Sequence, residues 1–283
     1  MEFEKWQALG NDYLIFEQHR LSFELTPARI RKLCSPHTGV GSDGILLLSA
    51  PQAPGPVARM RIFNPDGSES GLSGNGAREA VMYLRRRGWV TSEEFSLQTE
   101  AGEIGARITS PQSCTIAIGR ASLTSADFPS GRPDGGGELS AGGRRWRFQH
   151  VQVGNPQCAI AVTSEAALGA LDLPAIGPAI ERHALFPNRT NVSWYVALAP
   201  DRIRARIFER GVGETTASGT GATGAAVASV LCGGASPVTV LLDGGELEVG
   251  VGANLEIHLS GPAVPVFAGR LADAFVKELH ATE

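Results

Sequence analysis

Ser73-Gly-Asn-Gly-Ala77 follows Arg61-Ile-Phe63 at a distance of ten residues, and the same arrangement returns as Arg206-Ile-Phe208 and Ser218-Gly-Thr-Gly-Ala222. The two copies are offset by 145 residues. Each copy combines an apolar strand pattern, a glycine-containing loop and the start of a helix. Because all three features recur together, the sequence predicts two similar halves rather than a chance repetition of one short motif.

A second motif repeats at nearly the same offset. Gly10-Asn-Asp12 and Gly154-Asn-Pro156 are 144 residues apart. The helices that follow the serine motifs are predicted over Ala77–Leu84 and Ala222–Leu231. The second of these helices carries almost no large or charged side chain, which is typical of a buried helix.

The strand patterns complete a coarse map of an α/β (α+β) protein with two similar lobes, each with short strands and one central helix. We expect residues 1–120 to form the N-terminal lobe and residues 121–263 the C-terminal lobe. The tail 264–283, with a helix predicted over Ala272–His280, is expected to return to the first lobe. The strands are predicted at Ile45–Leu48, Met60–Phe63, Phe95–Thr99, Cys114–Ile118, Phe148–Val153, Asn191–Val196, Ile203–Phe208, Val238–Leu242 and Leu255–Leu259.

Composition excludes several classes of protein. The chain has 283 residues, 42% of them apolar, and a net charge of −4, so it has no basic footprint for nucleic acid. No apolar run reaches the roughly 18 residues of a membrane span, and the charged N-terminus is unlike a signal peptide. Its four cysteines are scattered, which predicts neither a zinc site nor a redox motif. We therefore expect a cytoplasmic protein with free thiols.

The two serine motifs predict an anion-binding site. The first N–H groups of a helix have no partner inside the helix, and the helix dipole adds positive potential there. If the two helix starts converge on one cleft, a carboxylate would lie between them, with Ser73 and Ser218 on opposite sides of the attached carbon. That geometry suits inversion of a stereocentre. The alternative is that each serine is only a helix cap.

The ordered motifs resemble those of the diaminopimelate epimerase family over essentially the whole chain. The motifs that carry the resemblance are Leu9-Gly-Asn-Asp-Tyr13, Gly39-Val-Gly-Ser-Asp-Gly44, Phe63-Asn-Pro-Asp-Gly-Ser68, Ser73-Gly-Asn-Gly-Ala-Arg78, Thr99-Glu-Ala-Gly102, Gly154-Asn-Pro156, Phe186-Pro-Asn-Arg-Thr-Asn-Val192, Glu209-Arg-Gly-Val-Gly213 and Ser218-Gly-Thr-Gly221. The resemblance implies two pseudo-symmetric lobes, each a barrel-like mixed sheet around a central helix. It also implies a cofactor-independent isomerase that interconverts L,L- and meso-diaminopimelate for lysine and peptidoglycan precursor synthesis.

The resemblance further implies the residues that bind substrate. The side chains expected at the polar, mainly distal, groups of the substrate are Asn11, Asn64, Asn155, Asn191 and Arg210. The groups expected to offer backbone donors to the carboxylate at the reacting end are Gly74, Asn75, Gly219 and Thr220. Each side chain has a structural alternative, since an asparagine can hold its own turn and an arginine can form an ion pair.

The sequence departs from the family pattern at three positions. Ser73 and Ser218 stand where the family has a pair of cysteines, and Gln157 stands where it usually has histidine; Glu209 is kept. A serine hydroxyl is a much weaker acid than a thiol and depends on a neighbouring base. Glu209 is a candidate base for Ser218, whereas Ser73 has none in the sequence. Cys158 is expected to point away from the site, because neighbouring side chains of a strand face opposite sides.

Three functions remain open at this point. The first is an epimerase of diaminopimelate or a related amino acid, with Ser73, Ser218 and Glu209 as catalytic residues and Gln157 lining the substrate site. The second is a binding protein that holds an amino acid without turnover. The third is a one-base isomerase or dehydratase that uses Glu209. No metal site is predicted, the ligand is a small molecule, and a homodimer is left open.

Overall fold

The computed structural model describes residues 1–282 of the chain. The chain forms two compact units, one of Met1–Ile116 together with the residues from Gly261 onward, and one of Ala117–Ser260. Glu283, the last residue of the tail expected to return to the first lobe, lies outside the described residues. Each unit is described by itself.

Within residues 1–282, the first unit contains nine strands, three α-helices and a short 3-10 helix at Gln18–Arg20. The strands are β1 (Glu2–Ala8), β2 (Asn11–Glu17), β3 (Ile45–Ser49), β4 (Ala58–Phe63), β5 (Glu69–Ser70), β6 (Glu94–Thr99), β7 (Gly102–Ser110), β8 (Ser113–Arg120) and, near the end of the chain, β18 (Val264–Arg270). The helices are α1 (Pro27–Cys34), α2 (Gly74–Arg86) and α6 (Asp273–Ala281). The helix predicted over Ala272–His280 is therefore confirmed.

The second unit is built from a corresponding set. Its strands are β9 (Gly136–Ala141), β10 (Arg144–Val153), β11 (Asn155–Ala161), β12 (Asn191–Ala199), β13 (Arg202–Glu209), β14 (Gly213–Thr215), β15 (Val238–Leu242), β16 (Gly245–Val251) and β17 (Glu256–Pro262). Its helices are α3 (Glu165–Gly169), α4 (Leu173–Glu181) and α5 (Gly219–Leu231).

The two units share one strand order. In the first, the order is β18-β1-β2-β3-β4-β6-β7-β8, with β5 added to β4. In the second, it is β9-β10-β11-β12-β13-β15-β16-β17, with β14 added to β13. The parallel pairs also correspond, β2 with β3 and β4 with β6 in one unit, β11 with β12 and β13 with β15 in the other. The repeat read from the sequence is thus a repeat of topology.

Each sheet encloses one helix. Helix α2 is buried from Gly74 to Leu84, and α5 contacts six strands of its own sheet. The small side chains of α5 explain this, because alanine, glycine and threonine let a helix lie close to strands on several sides. The expectation of a mixed α/β fold with pseudo-symmetric lobes around central helices is confirmed.

Candidate active site

The two serines adopt the same backbone conformation at the start of the two central helices. Ser73 is the N-cap of α2 with φ −132° and ψ 122°, and its hydroxyl accepts a hydrogen bond of 3.1 Å from Gly76 N. Ser218 is the N-cap of α5 with φ −142° and ψ 121°, and it accepts one of 3.2 Å from Gly221 N. Both serines therefore cap their helices, as the structural alternative required.

The glycine that ends each Ser-Gly-x-Gly motif is required by packing. A Cβ built at Gly76 would lie 3.0 Å from Leu46 Cδ2, and one built at Gly221 would lie 2.7 Å from Ile207 Cγ2. A side chain at either position would therefore have to displace a packed side chain of the sheet. Packing against the sheet, rather than access for a ligand, accounts for these two glycines.

The backbone donors expected from the sequence lie in the first turns of these helices. The first intrahelical bonds run from Ala77 N to the Ser73 carbonyl in α2 and from Ala222 N to the Ser218 carbonyl in α5. The N–H groups of Gly74 and Asn75, and those of Gly219 and Thr220, precede these bonds and have no partner within their helices. They are free to meet an anion, and the helix dipoles favour one.

The hydroxyl of Ser73 has the phenol of Tyr13 as a neighbour. Tyr13 on β2 donates a hydrogen bond from its phenol to Ser73 Oγ, at 3.2 Å. Tyr13 is only 6% exposed, whereas Ser73 is partly exposed. Ser218 is 2% exposed and is therefore more deeply buried than Ser73.

Asn11 and Asn75 meet in a network at the start of α2. Asn75 Nδ2 donates to Asn11 Oδ1 at 3.2 Å, and Arg78 Nη2 donates to Asn75 Oδ1 at 2.9 Å. Asn11 Nδ2 in turn donates to an Asp43 carboxylate oxygen at 2.9 Å, and the same oxygen accepts Asp12 N at 3.0 Å. The two amides are therefore oriented by internal hydrogen bonds, and each has a donor hydrogen left for a ligand.

Two ionisable groups of α2 are fully buried below this network. Arg78 is 0% exposed, and burial lowers the pKa of its guanidinium to about 10. Glu79 is also 0% exposed, and burial raises the pKa of its carboxyl well above the ordinary value, with Arg78 opposing the rise. Within residues 1–282, neither carboxyl oxygen of Glu79 accepts a hydrogen bond of normal geometry, and a contact from the Tyr13 backbone N–H also opposes the rise in its pKa. Burial therefore favours the neutral form of the Glu79 carboxyl.

Asn64 serves its own turn. Its Nδ2 donates to Ser68 Oγ at 2.9 Å, and the Ser68 hydroxyl donates to Asp66 at 2.6 Å. The backbone closes the same turn through the bond from Asn64 N to the Ser68 carbonyl. Asn64 therefore holds its own turn with one amide hydrogen, and its second Nδ2 hydrogen is left for a ligand.

In the second unit, four of the predicted residues form one group. Gln157 Nε2 donates a short hydrogen bond to Asn155 Oδ1, and Gln157 lies opposite Asn191 in the parallel pairing of β11 with β12. Asn191 Oδ1 accepts a 2.7 Å bond from Arg210 N, and Arg210 Nη1 donates to the Asn188 carbonyl at 2.8 Å. The first bond fixes the backbone of Arg210. The second uses one N–H group of its exposed guanidinium and leaves the other N–H groups for a ligand.

Glu209 stands at the end of β13, opposite Gly213 of β14. It is the residue before Arg210, so the Asn191 bond that fixes Arg210 also restricts the backbone at Glu209. The expected position of Cys158 is confirmed, since it is fully buried in an apolar cluster with Trp194 and Phe208. Burial raises the pKa of the Cys158 thiol well above its ordinary value, which makes it unreactive.

Two residues of these groups were not singled out from the sequence. Tyr13 and Asp43 lie inside the quoted family motifs, but no spacing rule indicates that Tyr13 reaches Ser73, sixty positions later in the chain. A weak signal was available in the Asn11-x-Tyr13 pattern. Alternate residues of a strand face the same side, so Tyr13 shares the side of β2 on which Asn11 meets α2.

The sequence matches a known protein family over most of its length. The family model for diaminopimelate epimerase matches residues 3–124 and 149–266. The chain belongs to the diaminopimelate epimerase family. A diaminopimelate epimerase of Synechococcus sp. (strain JA-3-3Ab) is 36% identical over 282 residues, covering 96% of this chain and 99% of the relative. A diaminopimelate epimerase of Pelotomaculum thermopropionicum is 38% identical over 280 residues, covering 95% and 98%. The prediction of an isomerase family is confirmed.

Solved structures share the fold at low sequence identity. A phenazine biosynthesis protein of the PhzF family from Bacillus anthracis has a TM-score of 0.67 at 16% identity, covering 96% of this chain and 99% of that one. A probable proline racemase from Agrobacterium radiobacter K84 has a TM-score of 0.69 at 16% identity, covering 96% and 93%. Among residues 1–282, no helix is long and apolar enough to cross a membrane.

Proposed function

We propose that this chain is an epimerase that inverts the α-carbon of diaminopimelate without a cofactor, interconverting the L,L- and meso-isomers in lysine and peptidoglycan precursor synthesis. The observation that carries the proposal is the matched N-cap geometry of Ser73 and Ser218 on two topologically equivalent helices. A reaction that takes a proton from one face of a carbon and returns one to the other needs two such groups.

The proposed reaction assigns a role to each group. Backbone N–H groups of Gly74, Asn75, Gly219 and Thr220 receive the carboxylate at the reacting end, where the helix dipoles stabilise the charge that spreads onto it as the Cα–H bond breaks. One serine accepts the proton and the other supplies one. Glu209 is the proposed base for Ser218, because a serine hydroxyl needs a neighbouring base to react at neutral pH.

The distal end of the substrate is assigned to the amide and guanidinium groups of the second unit. Arg210 offers paired donors to a carboxylate, and Asn155 and Asn191 offer amide groups. Gln157 completes this group. Asn11, Asn64 and Asn75 stand in the first unit, each with one amide hydrogen left for the substrate.

The test is direct conversion. L,L-diaminopimelate and, separately, meso-diaminopimelate are incubated with the protein, the isomers are separated by chiral chromatography, and binding is measured by calorimetry. Approach to the same isomer ratio from both sides supports the proposal. Binding without conversion favours the alternative of a non-catalytic amino-acid-binding homologue.

That alternative has one observation in its favour. Gln157 cannot accept a proton as histidine can, and its carbonyl oxygen is buried without a hydrogen bond among the described residues. A one-base isomerase or dehydratase that relies on Glu209 is the remaining candidate. It predicts loss of the α-proton or a new product from one isomer only.

A further inference from the structure

The hydroxyl of Tyr13 is hydrogen-bonded to Ser73, the serine for which the sequence offers no base. The phenol donates to Ser73 Oγ at 3.2 Å, and Gly76 N donates to the same oxygen at 3.1 Å. A hydroxyl oxygen has two lone pairs and one hydrogen. With both lone pairs occupied, the hydrogen of Ser73 is the part of the group directed to a third partner.

The position of the Tyr13 ring is fixed by its surroundings. Tyr13 is 6% exposed and lies on β2, next to Trp6 in the pairing of β1 with β2. A Cβ built at Gly44 would lie 2.7 Å from Tyr13 Cε1, so the glycine makes room for the ring. A phenol enclosed in this way reaches Ser73 without the entropy loss of ordering a mobile side chain.

Among residues 1–282, no tyrosine hydroxyl of the second unit bonds to Ser218 in the way that Tyr13 bonds to Ser73. The 144-residue offset that matches Asn11 with Asn155 matches Tyr13 with Gln157. The Gln157 amide donates to Asn155, whereas Ser218 Oγ accepts from Gly221 N. The two serines therefore have different partners, a phenol for Ser73 and, by the proposed function, Glu209 for Ser218.

We propose that Tyr13 is the proton-relay partner of Ser73. This inference rests on the proposed function for the identity of the substrate. When Ser73 protonates the carbanion, its O–H bond breaks, the proton forms the new Cα–H bond, and the Tyr13 proton moves to Ser73 Oγ. The negative charge passes from Cα to the phenolate. In the reverse direction the Cα proton goes to Ser73 Oγ, the Ser73 proton returns to the phenolate, and the electron pair stays on Cα.

The relay is favourable because the negative charge lies on the phenol oxygen of Tyr13 and not on the oxygen of Ser73. A free phenol has a pKa of about 10, and a serine hydroxyl is a far weaker acid. A relay places the charge on the better acid and spares Ser73 from becoming an alkoxide. Tyr13 acts through Ser73, so it is a positioning residue and not a catalytic one.

The first measurement does not depend on turnover. Ser73→Cys is prepared with Cys232→Ser, which removes the exposed natural thiol, and the thiolate is titrated by its ultraviolet absorbance. The three other cysteines titrate at higher pH than an ordinary thiol, because burial raises the pKa of each, that of Cys114 to about 12. A donor to the thiolate lowers its pKa, so adding Tyr13→Phe should raise the pKa of the new thiol by about one unit.

The control is Tyr83→Phe, which deletes a buried phenol of the same unit. Tyr83 lies on α2 and donates to Glu17 at 2.7 Å, far along the helix from Ser73. Its loss should leave the pKa of the new thiol unchanged. If Tyr13→Phe also leaves that pKa unchanged, the pairing is wrong and the inference is overturned whatever the activity.

The second measurement uses turnover. The α-proton exchange of each isomer in D2O is first assigned to one serine. Ser73→Ala and Ser218→Ala make this assignment, because each variant should abolish the exchange that depends on the missing serine. Tyr13→Phe should slow the exchange that depends on Ser73 by about tenfold or more, with little change in KM. In the wild type, ionisation of the Tyr13 phenol should lower this exchange rate at high pH, and Tyr13→Phe should weaken that pH dependence. An equal loss in both exchanges would contradict the relay. If the wild-type protein exchanges neither isomer but the pKa shift is found, the pairing stands and the epimerase proposal fails.

Discussion

Gln157 lies directly against Gly224 of α5: a Cβ built at the glycine would stand 2.7 Å from Gln157 Cβ and 2.9 Å from its Cγ. The offset of 145 matches Gly224 with Glu79 of α2. The second unit therefore leaves space on its helix for the side chain of a strand, and the first unit fills the matching helix position with a buried acid. This difference produces two predictions about stability.

Gly224→Ala should destabilise the protein. The added methyl group overlaps the Gln157 side chain in a buried site, and overpacking of this kind costs about 1–3 kcal/mol. Urea unfolding measures the change. The matched control is Gly169→Ala in α3, where a Cβ would have no neighbour within 4 Å. The control should be neutral or slightly stabilising, and an equal loss in both variants would show that Gln157 is not the cause.

Glu79 should make the protein less stable as pH rises. Its pKa in the folded protein is raised above the unfolded value of about 4.3, so the folded chain keeps a proton that the unfolded chain releases. Its stabilising effect is fully present below the unfolded pKa and is lost as pH rises towards the folded pKa. Compared with the wild type, Glu79→Gln should therefore gain in relative stability as pH rises above about 4.3, by about 1.4 kcal/mol for each pH unit below the folded pKa.

Unfolding by urea at each pH gives this comparison. Glu103→Gln on β7 is the control, because that side chain is exposed. Its difference from the wild type should change little over the same range. A Glu79→Gln difference that is flat with pH would mean that the carboxyl is ionised in the folded state.

The strands and central helices could be predicted because their signals are local and duplicated. Apolar runs such as Ile45–Leu48 and Val238–Leu242 coincide with β3 and β15. The repeated serine motifs located the starts of α2 and α5 because N-cap chemistry is specific to a few residue types. The burial of α5 followed from its composition.

The contacts inside the site could not be predicted in the same way. Tyr13 reaches Ser73, and Asp43 holds Asn11, across long separations in the chain, and no periodicity encodes such pairs. Asn64 was identified from a family motif, and only the structure shows that its amide also donates to Ser68 within its own turn. A motif therefore indicated which residue types are present, and only the structure showed which partner each one has.

Arg210→Ala should weaken substrate binding more than it slows turnover. The proposed contact is with the distal carboxylate, which does not change charge during the reaction, so its loss raises KM with little effect on kcat. A charged hydrogen bond of this kind corresponds to roughly ten- to a hundredfold in KM. Steady-state kinetics over a range of diaminopimelate concentrations measures both constants. Arg182→Ala removes a nearby exposed arginine that pairs with Glu181, and it should leave KM unchanged.

Replacing both serines by cysteine should accelerate the proposed reaction. A thiol has an ordinary pKa of about 8.5, and a helix N-terminus lowers it, so Ser73→Cys with Ser218→Cys supplies groups that exchange protons readily at neutral pH. The rate of interconversion should rise on the order of tenfold or more. Ser193→Cys is the control, since Ser193 is buried against α5 and donates to the Gly221 carbonyl instead of capping the helix. An unchanged rate in the double variant would mean that the two positions do not face the reacting carbon.

The central claim is that both serines exchange protons with one α-carbon. It is tested most directly by proton NMR of L,L- and meso-diaminopimelate in D2O with the wild-type protein at high concentration. The account predicts that the Cα–H signal of each isomer disappears while the other isomer forms carrying deuterium, and that Ser73→Ala and Ser218→Ala each abolish this inversion. Line broadening of the ligand signals without any loss of the Cα–H signal would contradict it and would leave a protein that binds the amino acid without turning it over.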